Sequence, residues 1–354
     1  MRVSELLRIS SRLRDYAVDV RDDGWAAGLA AQKGAVTVVD ENVWRLHRDG
    51  VLAGIEDPVV LPIDEERKTF ATVAWLYDRL LERGLRRNGT LVSVGGGVTQ
   101  DLSGFAASTL YRGVRWVYAP TTLLAQADSC IGSKTSLNYE AYKNILGTMY
   151  PPHGIVVDPR FPGTLSRDDF FSGLGEVVKL HVLGGAEESR RLEGTMGVLA
   201  ERRADAVADA VGGSLRIKRP YIEEDEFDRG RRNLLNYGHC FGHALEAATG
   251  FAVPHGQGVV LGMLLAAAVA ARRGLLGEAL RAELEERLFL PALVTHPRLD
   301  RPGRDRVLEA MRRDKKRTGE GLALVMCCDG FEMLQVGDLS EAEARAALDE
   351  LERW

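Results

Sequence analysis

Three of the chain's seven histidines lie in one short stretch, NYGHCFGHALEAATGFAVPHGQG, from Asn236 to Gly258. His239 and His243 are four residues apart. On a helix over 236–248, with Gly250 just past its end, they share one face. His255 follows in a Pro-His-Gly segment predicted to turn. A catalytic zinc takes three protein ligands and keeps an open position. The anion for such a set could come from Glu176 in GLGEVVK, with Lys179 three residues on and on the same side. The His-Glu-x-x-His protease pattern is absent, because no Glu follows His239 and Gly242 precedes His243. Spacing leaves two readings open, a metal site or buried histidines satisfied by hydrogen bonds.

A second chemistry is suggested upstream. GGGVTQD, from Gly95 to Asp101, follows a β-branched run and opens a helical pattern. Glycines there let backbone N–H groups approach a pyrophosphate, and the helix N-terminus adds positive potential. The pattern is neither Gly-x-Gly-x-x-Gly nor a P-loop, and a structural turn explains it equally well. Asp40 to Asn42 and Thr121-Thr122 also end strand-like runs, where open α/β sheets bind ligands. Glu65 and Lys68 add an acid and a base, though a solvated helix start would contain the same residues.

The third feature is a set of cations. The chain has 46 Lys+Arg, of which only eight are lysines. Arginine serves as the generic surface cation, so each lysine calls for a reason. The segment from Asp128 to Asn144 carries Lys134 and Lys143 with two amides, Asn138 and Asn144. With Arg112, Lys179, Lys218, Arg232 and the pair Lys315-Lys316, these suit a small, multiply anionic substrate. Unrelated surface charges are the alternative, and for Arg219, Arg231 and Arg317 they are the better one.

The elements that must position these residues divide the chain. Strand patterns at 35–40, 58–62, 91–94, 114–119 and 155–158 alternate with helical ones at 69–83 and 101–110, which predicts a mostly parallel sheet. From about Ser166, Ala/Leu/Arg/Glu-rich helices take over. We expect a Rossmann-like α/β domain over 1–165 and an all-α domain over 166–354, with a short strand near 323–326 and chemistry in the cleft between domains. The 354 residues are 45% apolar and 27% charged with a net charge of −5, so nucleic acid is an unsuitable partner. The N-terminus has no apolar signal-like run. The apolar run Val259–Ala271 is too short to span a bilayer, so no membrane partner is expected. Four cysteines without a spaced framework fit a reducing cytoplasm.

Together, GGGVTQDLSGFAA, YRGV, PTTLLAQADSCIGSKTSLN, KNILG, GLGEVVK, LLNYGHCFGHALE, PHGQ and DKK, in this order, resemble the sugar phosphate cyclase family, whose best-known member is 3-dehydroquinate synthase. The resemblance runs from about Ala35 to Asp329. It implies NAD in the α/β half and Zn2+ or Co2+ in the helical half. Glu176, His239 and His255 match the metal ligands. Asp40, Asn42, Glu65, Lys68, Gly96, Gly97, Asp101, Thr121, Thr122 and Thr164 match positions around NAD. Asp128, Lys134, Lys179, Lys218, Arg232, Asn236 and His243 match catalytic positions, and Lys143, Asn144 and Lys316 substrate contacts. Arg112 matches an arginine that reaches a neighbouring subunit's site, which implies a homodimer.

The implied reaction oxidises a secondary alcohol with NAD, eliminates phosphate, returns the hydride and closes a carbocycle by an aldol step. Its substrate is a phosphorylated sugar or keto acid. Arg232, Asn236 and His243 form the 3-dehydroquinate-type set. Sister enzymes make 2-deoxy-scyllo-inosose, 2-epi-5-epi-valiolone or aminodehydroquinate. Ser133 before Lys134, Ala141-Tyr142 before Lys143 and Gln257 after His255-Gly256 depart from the dehydroquinate-type pattern, and the Tyr139–Tyr142 segment and Pro151-Pro152 look closer to the sister enzymes. A metal-dependent polyol dehydrogenase shares the broad architecture, but needs no phosphate clamp such as the Lys134–Lys143 segment.

Overall fold

A computed structural model describes residues 4–140, 142–313 and 322–354. Two compact units emerge. The first comprises Met1–Thr164 and Arg203–Phe227, the second Leu165–Arg202 and Asp228–Trp354. The division therefore differs from a single cut at 165/166, since the chain returns to the first unit for one long helix.

The strands of the first unit are β1 (Ser4–Ile9), β2 (Tyr16–Val20), β3 (Ala35–Asp40), β4 (Val59–Leu61), β5 (Thr90–Gly95), β6 (Arg115–Pro120), β7 (Lys134–Tyr139), β8 (Tyr142–Met149) and β9 (Gly154–Val157). Helices α1 (Trp25–Ala30), α2 (Glu41–His47), α3 (Phe70–Glu82) and α4 (Gly97–Thr109) interleave with them. Seven strands form one sheet in the order β1-β2-β9-β6-β5-β3-β4. Only the β1–β2 pair in it is antiparallel. The strands over 35–120 sit where the β-branched runs place them, because a parallel strand covered on both faces needs an apolar residue at nearly every position. Val92, Val94, Val117, Ala119 and Val156 pack with Trp25 and Phe161 on one face of that sheet. The β1–β2 hairpin was not legible, since its polar positions mask the period. β7 and β8 form a separate antiparallel pair where the sequence suggested a loop.

Next in chain order come α5 (Arg167–Leu183), α6 (Ala186–Ala200) and α7 (Ala204–Glu224). α7 belongs to the first unit. Glu223 accepts from Ser10 N at 2.8 Å, and the following Glu226 accepts from Arg12 N at 2.8 Å and Ser11 Oγ at 2.6 Å. The remaining helices are α8 (His239–Ala248), α9 (His255–Arg272), α10 (Glu278–Leu284), α11 (Leu290–Ala292), α12 (Arg301–Arg312) and α13 (Glu341–Leu348). The second unit is helix-rich, not all-helical, because β10 (Leu322–Cys327) and β11 (Met333–Leu339) form an antiparallel ribbon. α9 reaches 18 residues, longer than its apolar run, and passes a length and hydropathy test for a membrane span. Yet 83% of that window is buried inside the structure, which makes it a core helix.

α9 meets α5 and α8 at backbone contact. A Cβ at Gly256 would collide with the Ser172 carbonyl, and one at Gly175 with the Gly256 carbonyl. On the other side, a Cβ at Gly262 would collide with the Gly238 carbonyl. Only glycine permits that approach, because the opposing atoms are main chain and cannot rotate away. Gly262→Ala should lower the unfolding free energy by about 3 kcal/mol in urea titrations, as overpacking does in a full core.

A second expectation concerns acid. His153 Nδ1 accepts from Trp116 N at 3.2 Å, and burial, aided by the Arg14 and Arg115 charges, lowers its pKa to about 4. The unfolded chain binds that proton near pH 6.5 and the folded chain only near 4. Stability should therefore fall as pH drops from 6.5 to 4, and His153→Asn, which keeps an acceptor, should flatten that part of a melting-temperature profile.

Candidate active site

Helix α5 places Glu176 and Lys179 on one buried side, with Lys179 Nζ 2.5 Å from Glu176 Oε2. Glu176 Oε1 lies 3.1 Å from His255 Nε2 and 3.5 Å from His239 Nε2. His243 joins them. One nitrogen from each of the three rings lies within 4.8 Å of the others, and the ring centroids are 5.1, 5.2 and 5.6 Å apart. Burial opposes a charge on Glu176, but Lys179 and His255 outweigh it and hold the carboxyl far below the usual range. Burial also opposes the His255 proton, yet Glu176 and Glu246 raise that pKa to about 10. His239 goes the other way. Burial, then the charges of Lys179, His243 and His255, push it well below the ordinary value. Glu176 Oε2 is engaged by the Lys179 ammonium, and Oε1 is the oxygen turned to both imidazoles. A buried, ionised carboxylate with one oxygen facing imidazoles on two other helices is a donor set that fits a divalent cation.

Local structure explains the convergence and corrects two expectations. α8 starts at His239 and not at 236, because Gly238 is left-handed at φ 77° and breaks the helix. His255 is the first residue of α9, after Pro254 at the N-cap position, and not part of a turn. Beyond α8, Gly250 adopts φ 61° past the helix end, as expected. Gln257 is fully buried. Its amide donates to Phe171 O and Ala292 O, and its oxygen accepts from Val294 N and Thr295 N. A carboxylate could not donate those two bonds, so an amide at 257 is a packing requirement of this chain.

In the first unit, the strand order reverses between β3 and β5. The chain adds β4 outside β3, then crosses to place β5 on the other side. The crevice beyond the carboxyl ends of two such strands is the ligand position of open α/β sheets. Gly96 and Gly97 lie there at the start of α4. A Cβ at Gly97 would meet only Ser129 Oγ at 3.9 Å, so nothing in the packing requires a glycine, and the bare helix N-terminus makes a cradle for a phosphate. At the adjacent end of β6, the buried Thr121 Oγ1 has no described hydrogen-bond partner, while Thr122 Oγ1 accepts from Ala125 N. These features fit a dinucleotide. Asp40 caps α2 through Asn42 N and Val43 N, leaving Asn42 exposed beside it. Thr164 bonds His47 Nε2 at 2.9 Å.

Two polar clusters lie in the same unit. Lys68 is buried and reaches Asp101 at 3.2 Å, Glu65 at 3.4 Å and Asn144 Oδ1 at 2.5 Å. Asp101 accepts from Ser136 N and Oγ, and Asn138 donates to Glu65. The β7–β8 hairpin is thereby tied to the residues expected around NAD. Separately, Lys218 on α7 ion-pairs with Asp128 and donates to the Asp128 and Ile131 carbonyls.

The chain was compared with known proteins. Residues 58–172 match the 3-dehydroquinate synthase N-terminal family and residues 173–317 its C-terminal counterpart. The 3-dehydroquinate synthase of Ruegeria pomeroyi is 40% identical over 82% of this chain and 81% of its own length. The chain belongs to the 3-dehydroquinate synthase family. Among solved structures, 2-epi-5-epi-valiolone synthase of Streptomyces hygroscopicus subsp. jinggangensis 5008, with NAD+ and Zn2+ bound, has TM-score 0.82 and 27% identity, covering 100% of this chain and 99% of that one. A 2-deoxy-scyllo-inosose synthase complexed with carbaglucose-6-phosphate, NAD+ and Co2+ has TM-score 0.85 at 21% identity, over 97% and 99% of the two chains, which supports the fold alone.

For a 3-dehydroquinate synthase family member, the structure gathers Glu176, Lys179, His239, His243 and His255 into one cluster. It pairs Asp128 with Lys218, and it puts Asn144 with Lys68 and Asp101, away from a purely substrate-facing role. Arg232 is buried while its neighbour Arg231 is exposed, and Asn236 donates to Asn233 O just before α8. Lys134, Lys143 and Arg112 are exposed. Lys316 lies outside the described residues. The sequence reading missed Ser136 and Glu246. Glu246 had a signal, since it follows His239 by seven residues and His243 by three, on the same helical stripe.

Lys68→Met would leave the half-buried Asp101 without its cation. We expect a loss of about 3 kcal/mol in urea unfolding, partly recovered by adding Asp101→Asn. A loss within about 0.5 kcal/mol would show the pair to be no stronger than a surface one.

Proposed function

We propose that this chain is a 3-dehydroquinate synthase, an NAD- and metal-dependent cyclase that converts a phosphorylated seven-carbon keto acid into a carbocycle with loss of phosphate. The observation that carries the reading is the convergence of Glu176, His239 and His255 beside Lys179, in a chain of this family. When bound, the dinucleotide supplies a reversible hydride acceptor and the divalent ion a Lewis acid. Glu176, His239 and His255 would hold the ion. Gly96, Gly97, Thr121 and Thr122 would cradle the dinucleotide, with Lys68, Asp101 and Glu65 behind them. Lys179 neutralises Glu176 and keeps it ionised. Asp128, oriented by Lys218, is a carboxylate suited to holding a substrate hydroxyl. Arg232 offers a buried guanidinium for the substrate carboxylate, which binds best to a planar fork. His243 and Asn236 serve as substrate contacts, and Lys134, Lys143 and Lys316 as a phosphate clamp.

The same reading includes a homodimer in which exposed Arg112 reaches the neighbouring subunit's phosphate site. It also includes a cytoplasmic location, which the four free cysteines suit. A second reading has one specific support, the likeness to a valiolone synthase over the whole chain. The product would then be a cyclitol of secondary metabolism.

Phosphate release separates these readings. Purified enzyme with catalytic NAD and Zn2+ or Co2+ is given 3-deoxy-D-arabino-heptulosonate 7-phosphate, its 4-amino analogue, sedoheptulose 7-phosphate or glucose 6-phosphate. Release from the first alone, without net NADH, is expected. Release from another substrate alone would establish the second reading, and stoichiometric NADH without phosphate would indicate a dehydrogenase. Chelation should abolish turnover and added Zn2+ or Co2+ should restore it, whereas Glu176→Gln should prevent restoration at stoichiometric metal.

A further inference from the structure

His255 is held from both sides of its ring. Its Nε2 faces Glu176 Oε1 at 3.1 Å, and its Nδ1 faces Glu246 Oε1 at 2.9 Å. Glu246 stands on α8, one turn beyond His243, while His255 opens α9. The helices leave room for this side chain. A Cβ at Gly258 would come within 3.3 Å of Glu246 Oε1 and 3.4 Å of its Cγ. A side chain at 258 would press on that carboxylate and on the Gly242 carbonyl, 3.1 Å from such a Cβ. The next turn is secured too, since the Glu246 carbonyl accepts from Phe251 N at 2.7 Å.

We propose that Glu246 is a positioning residue for the metal centre, fixing the Nδ1–H tautomer and the ring plane of His255 so that Nε2 is presented to the ion. The inference rests on the metal-centre reading given above. A carboxylate is the suitable partner, because it only accepts. It therefore keeps the proton on Nδ1 and the lone pair on Nε2, and its charge makes the imidazole a stronger donor. An amide in its place can still accept from Nδ1–H through its oxygen, but it carries no charge and can also flip to donate, so it holds the tautomer less firmly. The helix pair also benefits. The His255–Glu246 bond joins α9 to the helix carrying His239, so the two imidazoles cannot shift independently.

Metal affinity measured apart from turnover tests this. Zn2+ dissociation constants are obtained by competition with a chromophoric chelator, and Co2+ binding is followed by its visible absorption. Wild type is compared with Glu246→Ala, Glu246→Gln and Glu246→Asp. The expected loss of affinity is about 10- to 100-fold for Glu246→Ala, the range typical of removing such a partner. Glu246→Gln should lose less and Glu246→Asp least, and the cobalt bands should shift in the alanine and glutamine variants. Metal-free melting temperatures separate a folding defect from a ligand defect. Should Glu246→Ala fail to fold, the isosteric Glu246→Gln decides. Unchanged zinc affinity and cobalt bands in the folded variant would overturn the proposal and reduce Glu246 to a link between helices. A wild-type protein that binds neither metal would instead overturn the metal-centre reading, and this inference with it.

Discussion

The cluster of Glu176, His239 and His255 depends on helices that touch backbone to backbone. α9 crosses α5 where Gly175 and Gly256 face each other and Ser172, and it crosses α8 where Gly238, Gly242, Gly258 and Gly262 meet. Helix axes usually stay 8–10 Å apart because side chains intervene. Here glycines remove them, and the turns bearing Glu176, His239 and His255 come close enough for one carboxylate oxygen to lie within 3.5 Å of two imidazoles. Gly256 N donates to Ser172 Oγ at 3.0 Å, so the seam is also hydrogen-bonded beside His255. A looser crossing would retain all three residues and still separate their side-chain atoms.

Such closeness places a full negative charge in the core. Glu176 is 1% exposed, and burying a lone carboxylate is prohibitive. The chain answers with Lys179, itself 2% exposed, one turn away on the same helix, and with His255. Those groups hold the carboxyl in its ionised form. An anion kept ionised, with one oxygen left turned toward two imidazoles, suits a cation ligand better than a pair closed on itself. The same arrangement explains why a lysine stands at 179. Its slender ammonium fits against one oxygen, where a guanidinium fork would engage both.

In the first unit, polar groups tie sequence-distant segments together. Lys68 lies just after a single 3-10 turn, Asp101 on α4, and Ser136 and Asn144 on the β7–β8 hairpin. Their hydrogen bonds fasten the hairpin that carries Lys134 and Lys143 to the glycine turn at the strand switch. α7 does similar work. Its far end is secured to the N-terminal hairpin by Glu223 and the following Glu226, and Lys218 in its interior meets Asp128. The return of the chain to this unit at 203–227 thus brings in one cation that the sheet segments do not contain.

The sequence by itself determined the parallel strands over 35–120, most helices and the family, because apolar periods, glycine turns and motif order are local properties. It also marked Glu176, His239 and His255, although the residues alone could not distinguish a metal site from buried imidazoles. Only the tertiary structure decided that these atoms converge, that Glu246 holds His255, and that Asn144 belongs with Lys68. It also assigned α7 to the first unit, overriding the simple division at 165. The β7–β8 hairpin was read as a loop because its polar residues are spent on tertiary hydrogen bonds, which leave no apolar alternation to detect. A chain's pattern records what each segment buries. Contacts between segments far apart in sequence have no period, and they exist only once the backbone has closed on itself.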